Sequence, residues 1–352
     1  MMIEQWEMRA PREPMSRARR LAHAPGPGEA LVRVAGCGVC HTDLGFHLGD
    51  VRTKHALPLV LGHEVSGVVE AAGEGAAGWI GKSVVVPAIL PCGECPACRR
   101  GRYALCPAQI FPGNDVNGGF ASHLVVPARH LADAGHVEGR QLEALSVVAD
   151  AVSTPYEAIC RSELAPGDLA VFIGAGGVGG FGTQIAAALG ATVLVIDPSK
   201  DRRDLALRHG ATEALDPQGI DPGDLRKMVR GFARSRRLPE EEWKLFETSG
   251  TIGGQETAFA LLTRGAHLAV VGFTPSKVSV PLSHLMALDA RAYGNWGCAP
   301  GRYPEVLDLV AKGRILIEPF VERRPMSDIN DVFTAMAEHR LHHRAVLVPD
   351  FT

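Results

Sequence analysis

No apolar run in this 352-residue sequence approaches the roughly 20 residues a helix needs to cross a bilayer, so a membrane span is not expected. An excess of basic charge is also missing. With 36 Lys and Arg against 39 Asp and Glu, the formal net charge is -3, which gives no global attraction to nucleic acid or anionic lipid. The segment Met1 to Pro11 has neither the basic stretch, the apolar core nor the small-residue cleavage site of a secretory signal. Cysteine is scarce: eight in the whole chain are too few for a disulfide scaffold, and several cluster at short spacings that suit a metal better. The expectation is a soluble, cytoplasmic protein in a reducing compartment, with no nucleic-acid or membrane partner.

Apolar residues make up 46% of the sequence, and the length exceeds what one hydrophobic core usually serves, so two domains are predicted. Up to about Asp150 the chain is rich in Gly and Pro, with short apolar or alternating runs at Ala30 to Val34, Ser66 to Val69 and Ser83 to Val86, the pattern of a strand-rich domain. After Ser153 the rhythm becomes strand, turn, helix. Leu169 to Ile173, Thr192 to Ile196, Lys244 to Glu247 and His267 to Val271 read as strands alternating with helices, which implies a doubly wound parallel α/β sheet. Beyond Tyr293 a helix is predicted over Pro304 to Lys312 and a closing strand over Ala345 to Pro349. The expected division is 1–152 with 293–352 in one domain and 153–292, a dinucleotide-binding domain, inserted between them.

The run Leu169 to Ile173 leads directly into Gly174-Ala-Gly176-Gly177-Val178-Gly179, which opens a helical stretch from Val178 to Leu189. Such a turn lets the backbone approach a pyrophosphate at a helix N-terminus, where free amides and the helix dipole favour an anion. The next predicted strand ends in Asp197, at the distance where an acid meets the adenosine ribose hydroxyls and repels a ribose phosphate. NAD is therefore favoured over NADP. Asp197 also reads as a simple turn residue before Pro198, and Lys200, Arg202 and Arg203 just beyond it could soften the cofactor preference.

Cys92-Gly-Glu-Cys95-Pro-Ala-Cys98, followed by Cys106, places four thiols in one loop at spacings that close a tetrahedral zinc shell with no position left for substrate, as in a structural site. A second, scattered set comprises Gly38-Val-Cys40-His-Thr42-Asp43, Gly62-His63-Glu64 and Asp150. Cysteine, histidine and carboxylate all bind zinc, and three protein ligands would leave a fourth position open. Residue type alone decides little here, because a lone histidine before glutamate is commonly an ordinary hydrogen-bonded one.

These motifs, in this order and over essentially the whole chain, resemble the zinc-containing medium-chain alcohol dehydrogenases. The resemblance implies a GroES-like, strand-rich catalytic domain beside a Rossmann domain, two zinc ions per chain and NAD. It implies that Cys40 and His63 are catalytic zinc ligands, that Asp150 fills a third position often held by cysteine, and that Glu64 lies close to the metal. Asp43 would orient His63, and Thr42 would pass on the substrate proton. Many relatives finish the proton relay with a histidine where this chain has Gly45, leaving His41 and His47 as the nearby candidates. The analogy also suggests a homotetramer or a dimer.

Three further stretches, Asn114 to His123, Glu247 to Thr251 and Gly294 to Cys298, resemble 6-hydroxycyclohex-1-ene-1-carbonyl-CoA dehydrogenases of anaerobic aromatic degradation. They imply a cyclic allylic alcohol carried as a CoA thioester. Basic runs at Arg226 to Arg237 and at Arg99, Arg100 and Arg102 could meet phosphates, though such runs are usually solvated faces. Alternatives are a zinc dehydrogenase for a free secondary or allylic alcohol, an enone reductase, and a non-enzymatic NAD sensor. Cys37, Cys160 and Cys298 read as small core residues.

Overall fold

The predicted βα alternation is realised as a six-stranded, all-parallel sheet. In the computed structural model, which describes residues 1–137 and 141–351, the strands lie in the order Glu213–Leu215, Thr192–Ile196, Leu169–Ile173, Lys244–Glu247, His267–Val270, Arg291–Gly294. The sheet therefore winds outward in both directions from Leu169–Ile173, and the order reverses between that strand and Lys244–Glu247. In open sheets of this type, ligands bind beyond the carboxyl ends of the strands at such a reversal. All five residues of Leu169–Ile173 are buried, as expected for a central strand covered on both faces. Phe172 and Phe246, on adjacent strands, stack with ring centroids 4.6 Å apart.

Two strands, Glu213–Leu215 and Arg291–Gly294, are additional to those the sequence predicted. The first is only three residues long. The second pairs residue for residue with His267–Val270, so a domain boundary at 292/293 would cut a strand. The compact unit containing this sheet runs from Thr154 to Trp296.

The other unit comprises Met1–Ser153 and Gly297–Thr352. Its seven-stranded sheet is largely antiparallel and centres on Glu29–Gly38, which pairs with Glu64–Ala72, Arg344–Val348 and His123–Pro127. Val32, Val65 and Leu347 from these strands, and Val84 from Ser83–Val86, which pairs with Glu64–Ala72, share one core with Phe120 and Phe333. The predicted C-terminal helix spans Tyr303–Ala311 and the closing strand Arg344–Val348. The expected α/β architecture of a strand-rich domain plus a doubly wound parallel sheet is the observed one. No helix among the described residues is long and apolar enough to cross a membrane.

Candidate active site

The strand Glu29–Gly38 runs through Val39 into Cys40, which caps the helix His41–Leu48. Asp43, in the first turn of that helix and fully buried, holds three groups in place. Its Oδ2 accepts the Cys40 backbone N–H at 2.9 Å, its Oδ1 accepts the Gly62 N–H at 3.0 Å, and the same Oδ1 lies 3.1 Å from His63 Nδ1. A proton on Nδ1, donated to Asp43, leaves the Nε2 lone pair of His63 facing the site. Glu64 opens the neighbouring strand opposite Gly38. Gly38 has to be glycine, because a Cβ there would fall 2.1 Å from Glu64 Oε2.

Asp150 arrives from a different direction, at the end of the 3₁₀ turn Ala144–Ala149, with φ -142 and ψ -60. Its Oδ2 lies 3.4 Å from His63 Nε2 and 3.9 Å from Cys40 Sγ. One donor atom from each of Cys40, His63, Glu64 and Asp150 lies within 4.8 Å of every other. Thr42 is half-buried beside them, its Oγ1 3.7 Å from Cys40 Sγ.

Three observations fit this cluster to a cation. His63 Nε2 is buried and, beyond the 3.4 Å approach of Asp150 Oδ2, makes no hydrogen bond among the described residues, although such an atom ordinarily makes one. Burial alone would lower the imidazole's proton affinity, yet the carboxylates of Asp43 and Asp150 outweigh it and raise the His63 pKa well above the ordinary value. Glu64 adds a further buried carboxylate, and its pKa is also raised, by burial first and against the pull of Arg344. Cysteine, histidine and carboxylate at these separations are the donor set of a catalytic zinc with an open position.

Arg344 is the residue that motif reading missed. It is buried and clamps Glu64 from both nitrogens, Nε to Oε2 at 2.8 Å and Nη2 to Oε1 at 2.5 Å. The only sequence signal was an arginine abutting the apolar run that follows it.

The cysteine loop closes as its spacing predicted. Sγ atoms of Cys92, Cys95, Cys98 and Cys106 lie within 4.8 Å of one another, and all four are free thiols. Backbone N–H groups point at the sulfurs: Cys92 N to Cys106 Sγ at 3.3 Å, Cys95 N to Cys92 Sγ at 3.4 Å and Cys98 N to Cys95 Sγ at 3.5 Å. Backbone donors at Glu94 and Cys95 lower the Cys92 thiol to about 6, whereas burial and the neighbouring sulfurs push Cys98 up to about 12, so four thiolates would coexist here only around a cation. Pro91, just before the loop, is held by Arg129 and by His130, whose Nε2 lies 2.7 Å from the Pro91 carbonyl oxygen.

In the parallel-sheet unit, the turn after Leu169–Ile173 leads into the helix Gly179–Ala188. Gly174 takes φ +96, and a Cβ on Gly179 would sit 1.9 Å from the Gly174 carbonyl oxygen, so the turn closes only with glycine there. Above Gly176 there is room: the nearest atom to an added Cβ is Arg202 Nη1 at 3.8 Å. Gly177 and Val178 complete the turn, Val178 as the residue before the helix.

Asp197 is almost fully buried. Its Oδ2 accepts from Ala175 N at 2.7 Å and its Oδ1 from Ser199 N at 2.8 Å. The Ser199 bond is the local turn contact expected before Pro198, the Ala175 bond ties the Gly-rich turn to the next strand end, and the carboxylate retains lone pairs for a ligand hydroxyl. Lys200 turns instead to Asp204, four residues along its own helix.

His47 lies edge-on to Phe333 at 5.1 Å, with Nδ1 buried and making no hydrogen bond among the described residues, whereas His41 is exposed. On the helix Pro222–Ser235, Arg234 and Arg230 face Glu240 and Lys227 faces Asp224. Three of the six basic residues of the run Arg226 to Arg237 thus meet a carboxylate, Arg230 and Arg234 sharing one.

Residues 26–136 match the alcohol dehydrogenase GroES-like domain, and residues 177–312 match the zinc-binding dehydrogenase domain. An alcohol dehydrogenase of Geobacillus stearothermophilus is 30% identical over 325 residues, covering 92% of this chain and 93% of the relative. A 2-dehydro-3-deoxy-L-galactonate 5-dehydrogenase of Pseudoalteromonas atlantica is also 30% identical, over 90% of both chains. Among solved structures, a cobalt- and zinc-bound thermostable alcohol dehydrogenase from Pyrobaculum aerophilum superimposes with TM-score 0.85 at 25% identity, over 99% of this chain and 100% of that one.

Proposed function

Because the chain belongs to the zinc-dependent medium-chain alcohol dehydrogenases, an enzyme family, we propose that it oxidises a secondary alcohol to a ketone with NAD, reversibly, at the Cys40, His63, Asp150 cluster. The observation that carries this reading is the gathering of donor atoms from Cys40, His63, Glu64 and Asp150 within 4.8 Å of one another, with the buried His63 Nε2 3.4 Å from Asp150 Oδ2. Zinc bound there supplies Lewis acidity, lowering the proton affinity of an alcohol oxygen or polarising a carbonyl.

The chain's own residues do the rest. Cys40, His63 and Asp150 hold the metal, and Asp43 fixes the His63 ring through Nδ1 at 3.1 Å. Glu64, drawn to Arg344, stands beside the cluster as an exchangeable carboxylate. Thr42 Oγ1, half-buried, would accept the substrate's hydroxyl proton as it gives up its own to solvent water. With Gly45 lacking a side chain and His47 packed on Phe333, that proton leaves by a route other than a histidine at position 45. NAD supplies the hydride acceptor, bound by the Gly174 to Gly179 turn. Asp197 favours a free ribose over a phosphorylated one. Cys92, Cys95, Cys98 and Cys106 hold a second, structural zinc.

The narrower substrate, a cyclic allylic alcohol carried as a CoA thioester, rests on the three resembling stretches. Two of them do scaffold work: Asn117 Oδ1 accepts the Val60 N–H, and Glu247 Oε1 gathers Ser249 N, Ser249 Oγ and Gly250 N. The test is NAD reduction by zinc-replete protein on 6-hydroxycyclohex-1-ene-1-carbonyl-CoA, the free acid of the same ring, simple cyclic alcohols and sugar alcohols. Turnover confined to the thioester establishes the narrow substrate. Equal or better turnover of free alcohols removes it and leaves the general dehydrogenase. Failure on every alcohol, with one zinc per chain, defeats the proposal.

A further inference from the structure

The third corner of the cluster, Asp150, follows a carbonyl that is unusually well held. Ala149 O accepts the Tyr303 hydroxyl at 2.6 Å and the Ala88 N–H at 3.3 Å, and Ser153 Oγ lies 3.2 Å from it. Ser153 Oγ is also 3.3 Å from the Tyr303 oxygen. Tyr303 begins the helix Tyr303–Ala311 and is completely buried, one of the largest fully buried side chains in the chain. Burial holds its phenol in the neutral, hydrogen-donating form, with the pKa pushed well above the usual tyrosine value.

Ala149 O belongs to the peptide plane that leads into Asp150. The backbone of Asp150 is in neither helical nor extended conformation, so the direction of its side chain depends on how this peptide plane is held. A rotation of that plane would swing the Asp150 carboxylate away from its 3.4 Å approach to His63 Nε2.

We propose that Tyr303 is a positioning residue for the metal site: its hydroxyl locks the Ala149–Asp150 peptide, and through it aims the Asp150 carboxylate at Cys40 and His63. The inference rests on the zinc reading of that cluster. It assigns to a residue from the C-terminal segment a task that the cysteine loop, with all four ligands on one short stretch, does not need.

The test compares wild type and Tyr303→Phe, both metal-loaded, by metal content under chelator competition and by the visible absorption of cobalt placed in the Cys40, His63, Asp150 site. Phe fills the same volume and removes only the hydroxyl. The expected result is about a tenfold or greater loss of affinity at one of two sites, the range seen for outer partners of metal ligands, with a shifted cobalt spectrum. The cysteine loop keeps its metal and serves as an internal control for folding. Ser153→Ala, which spares the phenol, should give a smaller shift in the same direction.

Identical chelator curves and cobalt spectra for Tyr303→Phe and wild type would overturn the inference. Parallel loss of both metals with the thermal transition would overturn it as well, by showing a general structural role. A wild-type chain that loads only the cysteine loop would instead defeat the zinc reading beneath it.

Discussion

Replacing Arg344 by Met should cost more stability than almost any other single change outside the cores. Arg344 and Glu64 have side chains 6% and 0% exposed, and they are joined by two short hydrogen bonds. Removing one partner of such a pair leaves a buried, uncompensated charge, at a cost of about 3–5 kcal/mol. For a unit of this size that is roughly 6–20 °C in Tm.

The pH dependence has a defined sign. Burial raises the Glu64 pKa above the ordinary carboxyl value of 4.5 and Arg344 opposes it, so without Arg344 the rise is larger. A native carboxyl that keeps its proton where the unfolded one has lost it contributes stability below the unfolded pKa, and that stability is lost as pH rises through the folded pKa. The deficit of Arg344→Met relative to wild type should therefore be smallest at about pH 4.5 and below and grow toward neutrality. Urea midpoints at constant m across that range measure it. The pair Arg344→Met with Glu64→Gln should recover part of the loss, giving a coupling of about 1 kcal/mol or more. A deficit under about 1 kcal/mol near neutral pH, with no trend against pH, would refute this account.

Other perturbations separate the two metal positions and the cofactor turn. Cys40→Ala should abolish alcohol oxidation while thermal unfolding stays near that of wild type; an active, zinc-poor variant would contradict the ligand role. Cys95→Ser should lower Tm or solubility before it lowers turnover per folded molecule, and melting curves with zinc analysis decide the point. Gly179→Ala forces a Cβ to within 1.9 Å of the Gly174 carbonyl oxygen, so NAD binding measured by fluorescence titration should be lost. Asp197→Ser should raise the KM for NAD about tenfold, the order of a hydrogen bond to a charged group, and bring NADP turnover closer to that with NAD.

What was legible in the sequence was whatever is built within one short stretch of chain. Cys92 to Cys106 closes a metal shell inside a single loop, and Gly174 to Gly179 forms its turn from adjacent residues, so spacing and residue type carry the geometry. The strands of the parallel sheet announced themselves because burial on both faces demands near-continuous apolar runs, as in Leu169–Ile173. Short or exposed strands carry no such run: Glu213–Leu215 is half-buried, and Arg291–Gly294 is mostly exposed.

The cluster of Cys40, His63 and Asp150 needed a resemblance to be seen at all, because these residues share no local period. Its supporting residues are more distant still. Arg344 meets Glu64 across 280 positions because Glu64–Ala72 and Arg344–Val348 flank the same strand, Glu64 and Val346 both registering with Gly38. Tyr303 meets Ala149 across 154 positions. Sequence spacing encodes contacts made within a turn or a helix face; contacts made by strand register and helix packing exist only once the chain has folded, and those decided how the carboxylates of Glu64 and Asp150 are held.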